Sequence, residues 1–246
     1  MLKTLQSLRD FTLSAIDGEI GAVRDVFFDQ EFWTVRYLVV NTSSWLLGRN
    51  VLLVPRSLGE LDNFHRTISV DLTRQQVKDS PDVDTDQPIS RIEEIKYHRY
   101  LGYPFYWGGI AGPLPGAIPA VPEPQFPAQE DVPSKTEETH LRSAKDLEGY
   151  TVDASDGEIG HVDELLITPG NWRIAYLVLK TKNWLPGKSV IVPTQAFTRV
   201  DWIDRSIGVT LSREEVKAAP EFDMTRLEDS SFRGELHHYF ANHLHV

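Results

Sequence analysis

The chain repeats itself. Ser14-Ala15-Ile16-Asp17-Gly18-Glu19-Ile20-Gly21 returns as Asp153-Ala154-Ser155-Asp156-Gly157-Glu158-Ile159-Gly160, 139 residues later. At the same spacing Trp33, Tyr37, Leu38 and Val39 meet Trp172, Tyr176, Leu177 and Val178, and Trp45-Leu46 with Gly48 meets Trp184-Leu185 with Gly187. One gap follows, since Pro55 and Pro193 lie 138 apart. The register then returns, carrying Asp62, Arg66, Ile68, Val70, Leu72, Arg74, Val77, Lys78 and Pro81 onto Asp201, Arg205, Ile207, Val209, Leu211, Arg213, Val216, Lys217 and Pro220. Chance does not hold one register this long. A chain of 246 residues could form one large domain or two ordinary ones; the repeat selects two, over 1–85 and 141–222.

Each copy reads as strands closed by a short helix. Asp17-Gly18 and Asp156-Gly157 are hairpin signals, because both residue types tolerate positive φ. Trp33, Val35, Tyr37 and Val39 alternate with Thr34, Arg36, Leu38 and Val40, a period of two that means strand, as in Trp172–Leu179. The later half of that strand is apolar on both faces, which predicts a central strand covered on both sides. Val51–Val54 and Val190–Val192 give another strand, ended by proline, and Ile68–Leu72 and Ile207–Leu211 an outer one with a single wet face. Thr73-Arg74-Gln75-Gln76 and Ser212-Arg213-Glu214-Glu215 fit the capping box. Strands with one terminal helical turn in so short a unit predict a small barrel that closes to remove its edges.

Between the copies, residues 86–140 open with Ser90–Leu101, a helix by its capping pattern although Ile92, Ile95 and Tyr97 make no clean stripe. Tyr103, Phe105, Tyr106 and Trp107 follow in an irregular stretch, read as a plug over the first copy in preference to an open contact surface. Residues 108–133 hold seven prolines, an extended and semi-stiff linker. Residues 223–246 read as a tail. It holds half of the chain's eight histidines, but His238 meets Asn242 at i+4, so the helical two-histidine ligand spacing is missed.

Composition narrows the chemistry. There is no cysteine, which excludes disulfides, thiolate metal sites and thiol nucleophiles. No apolar run approaches the ~20 residues of a spanning helix. The expectation is a soluble, cytoplasmic protein. Its net charge of −11 sits mostly outside the repeats, −4 on residues 86–140 and −2 on 222–246. Without a basic footprint, nucleic acid is not an expected partner.

The repeat unit resembles the PRC-barrel family. The likeness rests on the Asp-Gly-Glu-Ile-Gly turn with a following Val and acidic residue (Val23, Asp25; Val162, Asp163), the Tyr-Leu-Val strand, the Val-Leu-Leu-Val-Pro strand, and the Leu-Thr/Ser-Arg helix start with its Pro. It implies an all-β chain of two six-stranded barrels, each with a short terminal helix, joined by a Pro-rich linker. The family is similar to the cytoplasmic domain of the H polypeptide of the photosynthetic reaction centre and includes small stand-alone bacterial proteins. It implies a role in assembly and interaction.

No nucleophile elbow, phosphate-cradling glycine loop or dinucleotide fingerprint occurs, so no catalytic residue and no cofactor is expected. Asp17, Glu19, Asp156 and Glu158 read as solvated hairpin tips, not as converging metal ligands. Trp45 with Arg49, and Trp184 with Lys188, place an indole and a cation on the same loop of both copies, which makes them the candidate partner-binding residues. The expected function is a non-enzymatic interaction module binding a protein partner through barrels paired within one chain, with homo-oligomerisation open. The alternatives are a peripheral accessory protein of an electron-transfer complex, or a metal-dependent protein with a site between the barrels.

Overall fold

A computed structural model describes residues 2–42, 45–107, 139–181 and 188–244. The Pro-rich linker expected over 108–133, Trp184, and the last two residues lie outside these. The first half contains β1 (Lys3–Thr4), α1 (Leu5–Arg9), β2 (Thr12–Ala15), β3 (Gly18–Asp29), β4 (Thr34–Asn41), β5 (Asn50–Leu53), β6 (Leu58–Asp62), β7 (Thr67–Val70) and α2 (Arg74–Lys78). After α3 (Arg91–Leu101), the second half gives β8 (Leu141–Ser143), β9 (Thr151–Ala154), β10 (Gly157–Thr168), β11 (Arg173–Thr181), β12 (Ser189–Pro193), β13 (Phe197–Asp201), β14 (Ser206–Val209) and α4 (Arg213–Ala218), and then α5 (Ser230–His243). The two halves therefore carry the same succession of strands.

Within each half six strands are neighbours, in the orders β6-β7-β2-β3-β4-β5 and β13-β14-β9-β10-β11-β12. Two closed barrels do not result. Among the described residues no ladder joins β5 to β6 or β12 to β13, and β4 pairs with β11, so the halves merge into one open mixed sheet of 14 strands. The reason is local. β5 covers only Leu38–Asn41 of β4, which leaves the start of β4 with open backbone groups. These pair across the halves: Val35 N donates to Trp172 O at 2.8 Å and Ile174 N to Trp33 O at 2.7 Å. Unpaired strand edges are costly, and here each half covers the other's.

The amino-terminal strands are exchanged. β1 opens the first half but pairs with β10 of the second, Lys3 opposite Ile167. β8 opens the second half but pairs with β3 of the first, Ser143 opposite Phe27. A carboxylate at a bulge in each host holds the exchanged segment, on β8 itself in one half and on the first turn of α1, directly after β1, in the other. Asp25 accepts from Ser143 Oγ at 2.6 Å, and Glu164 accepts from Leu5 N at 3.2 Å and Gln6 N at 3.1 Å. The residue equivalent to Asp25 is Glu164, as the 139-residue spacing requires, and not the Asp163 to which the family resemblance was carried. Burial raises the pKa of both, offset in part by these hydrogen bonds.

The Asp-Gly-Glu-Ile-Gly turn is now explained by packing. Asp17 and Asp156 accept from the first amides of α2 and α4, Arg74 N at 2.7 Å and Arg213 N at 2.8 Å. A Cβ on Gly21 would lie 1.8 Å from Asn41 O, and one on Gly160 2.1 Å from Lys180 O, so only glycine fits. The three capping boxes expected at Thr73, Ser90 and Ser212 are present. One hydrophobic core spans both halves, including Phe28, Trp33, Leu165 and Ile174. A second, smaller core lies under α3 on the other face of β4, around Phe27, Tyr37, Val39 and Tyr97. The carboxy-terminal segment read as a tail carries α5, which buries Phe232, Leu236 and Phe240. The ring of Phe240 sits 6.2 Å from that of Tyr176, the counterpart of Tyr37.

Candidate functional site

The loop joining β4 to β5 holds Trp45 and Arg49. Trp45 is half-buried: its Nε1 donates to Ile20 O, and the Arg74 guanidinium lies 4.4 Å from its ring. Arg49 donates to Lys78 O and Ser80 O, both at 3.1 Å, and pairs with Asp82 at 3.2 Å. Both side chains thus anchor the loop onto the first half. Between them Leu47 is 98 % exposed and sits at φ 53, a left-handed conformation that costs a leucine roughly 1–2 kcal/mol. In the second half Lys188 pairs with Glu221 at 3.0 Å, while Trp184 lies outside the described residues. Phe64 and Ile203, at equivalent hairpin tips, are also almost fully exposed.

A different constellation surrounds α3. Glu94, Ile95, Tyr97 and His98 form its buried face, which explains the unclean stripe: the face is half polar. Glu94 is fully buried. Its Oε2 lies 3.0 Å from Tyr37 Oη and 2.7 Å from Tyr106 Oη. Arg91 and His140 approach Oε1 at 3.4 and 3.6 Å.

Counting protons around Glu94 leaves two states, a neutral carboxyl beside a neutral His98 or a carboxylate beside an imidazolium, and the burial of His98 favours the first. His98 Nδ1 is 3.0 Å from Pro104 O, and a carbonyl only accepts, so Nδ1 carries hydrogen. Burial lowers the pKa of His98, which leaves Nε2 as a bare acceptor 3.1 Å from Tyr37 Oη. Tyr37 therefore donates to His98, and its contact with Glu94 needs a proton from the carboxyl group. On the other flank Arg91 Nη2 can only donate to His140 Nδ1, 3.1 Å away. His140 Nε2 then donates to Tyr106 Oη at 2.6 Å, and Tyr106 donates to Glu94. One directional chain results, from Arg91 through His140, Tyr106, Glu94, Tyr37 and His98 to the Pro104 carbonyl.

Electrostatics agrees with the count. Desolvation pushes the Glu94 pKa up to about 7, against the lowering effects of Tyr106 and Arg91. Burial, with help from Arg91, pulls His140 down to about 4. The two phenols are held well above their ordinary range by burial and by Glu94. A neutral carboxylic acid that both donates and accepts is the state that satisfies every partner.

The aromatic stretch after α3 is folded inward, as a plug. Phe105 is buried and stacks on His98 with ring centroids 5.7 Å apart. With β4, the β5–β6 turn and the β10–β11 turn, this stretch borders an open-mouthed cavity of about 640 Å³ where the halves meet. His98 and Tyr106 form part of its wall, so the hydrogen-bonded chain runs along one side of it. Sequence reasoning missed this group. The available signal was the i+4 spacing of Glu94 and His98 on one helix; Tyr37, Tyr106 and His140 join them only by folding. Among the described residues no three His, Asp or Glu side chains converge as a metal site, and no helix is long and apolar enough to cross a membrane.

Against known families, the PRC-barrel domain model matches residues 140–216, a stretch running from β8 into α4. No curated protein sequence matches the chain. The second half is thereby tied to a small β-barrel module, and the chain as a whole is β-rich.

Proposed function

We propose that the chain is a tandem pair of PRC-barrel-type repeats, residues 1–85 and 141–222, acting as a non-enzymatic interaction module for a protein partner. The duplication is supported by the common order of elements and by the reciprocal exchange of β1 and β8. In this reading each half is a PRC-type barrel opened along one seam and joined to its twin there, as in a pseudo-two-fold dimer. Near-balanced charge on the repeats and acidity on the connector favour protein over nucleic acid as partner.

Leu47 carries the contact reading. A leucine exposed at a strained φ, on a loop anchored at both flanks by Trp45 and Arg49, gives the fold nothing and costs it conformational energy. The loop with Trp45 and Arg49, and its counterpart with Trp184 and Lys188, is the proposed contact surface. Affinity capture from native lysate, with the intact protein beside Leu47→Asp, tests it. Leu47 is exposed, so the variant keeps its melting temperature; a partner recovered by the intact protein and lost with the variant supports the surface. Equal recovery with both proteins removes it.

A further inference from the structure

The cavity at the junction belongs to neither half alone. Thr34–Arg36 and the β5–β6 turn form one wall, the plug with Tyr103–Tyr106 another, and Pro169–Trp172 from the second half the third. Its volume of about 640 Å³ falls inside the range of pockets that hold small organic molecules.

The lining has a definite chemical sign. Apolar surface comes from Val35, Leu58, Ile68, Phe105 and Trp172, with flat rings among them. Two guanidinium groups contribute, from Arg36 and Arg56, and among the described residues no carboxylate lines the space. The two arginines differ. Arg36 stacks on the Tyr106 ring at 3.9 Å and pairs with Asp29 at 3.4 Å, so its charge is already answered. Arg56 is exposed at the rim, 5.9 Å from the Tyr103 ring, and has no ion pair among the described residues. An unanswered guanidinium at the mouth of a ring-lined cavity of mixed polarity, with no carboxylate among its described lining residues, selects a ligand with a flat ring body and one anionic group.

We propose that this cavity is a binding site for a small organic monoanion of aryl carboxylate or aryl sulfonate type, its ring body against Phe105 and Trp172 and its charge on Arg56. The proposal does not depend on the protein-contact loop, which it does not include.

Titration of the full-length protein with 8-anilinonaphthalene-1-sulfonate, a flat monoanion, tests it, with the uncharged N-phenyl-1-naphthylamine in parallel. Two surface substitutions separate the terms. Arg56→Glu reverses the rim charge, and Gly170→Trp fills the mouth from a position where an added Cβ meets nothing within 4 Å. Calorimetry should give one saturable site for the anion. Arg56→Glu should weaken the sulfonate by about tenfold or more, as expected for loss of a charge-assisted contact, and change the neutral probe by less than about threefold. Gly170→Trp should weaken both. Sulfonate binding that does not saturate at one equivalent, or that ignores both substitutions, overturns the site. Blockade by Gly170→Trp with no effect of Arg56→Glu overturns the anion assignment.

Discussion

Replacing Glu94 by glutamine removes the one titration that the proton count around α3 assigns to the native state. The folded carboxyl holds its proton up to about pH 7, whereas the unfolded one releases it near 4.5. Between those values the native state binds the extra proton, so this group's contribution to stability falls as pH rises. The gap corresponds to about 3 kcal/mol across the window. His140 works in the opposite direction: its folded pKa of about 4 lies below the unfolded 6.5, so stability rises with pH between the two. The wild-type curve is therefore flattened, and only the difference between variant and wild type isolates Glu94. A glutamine fills the same space but cannot donate and accept from one atom, so one bond is mismatched at a cost of about 1 kcal/mol. Glu94→Gln should then be less stable than wild type by about 1 kcal/mol at pH 4.5 and more stable by about 2 kcal/mol at pH 8. Urea unfolding at half-unit pH steps measures this directly. Curves that stay parallel across the window would refute the argument, placing the shared proton on His98 as an imidazolium beside an ionised Glu94.

Glu164→Ala strips the acceptor from the amides of Leu5 and Gln6 and should cost about 2 kcal/mol in chemical denaturation, with Asp25→Ala similar through Ser143. Gly21→Ala forces a Cβ onto Asn41 O and should cost about 3 kcal/mol, while Gly102→Ala, with open space and φ 68, should cost about 1 kcal/mol; matching losses would refute the packing reason. Phe232→Ala should cost about 3–5 kcal/mol, since α5 is a packed helix, whereas a loose tail would lose nothing measurable. Leu47→Gly should raise stability by about 1 kcal/mol in urea unfolding while weakening partner capture, because it relieves the left-handed strain.

Much of the fold was legible because its signals are local. The period-two alternation up to Val40, the hydroxyl-to-Gln/Glu capping boxes and the Asp-Gly turns each act within a few residues, and the structure places a strand from Thr34, helix starts and hairpins there, while Trp33 sits in the turn before the strand at φ 52. Tertiary pairing is another matter. Closed barrels were expected because closure is the simplest way for six strands to lose their edges; here β4 and β11 lose theirs to each other through Val35 and Ile174.

The sequence by itself determined the repeat and the elements within it, since hydrogen-bonding rules and side-chain periodicity act at short range. Only the tertiary structure decided that β1 and β8 change places, and that Glu94 meets Tyr37, Tyr106 and His140. Glu94 and His140 lie in separate segments, and nothing in either reveals that burial will leave their polar atoms no partners but each other's neighbours. Long-range contacts set the dielectric around Glu94, and the dielectric sets its charge.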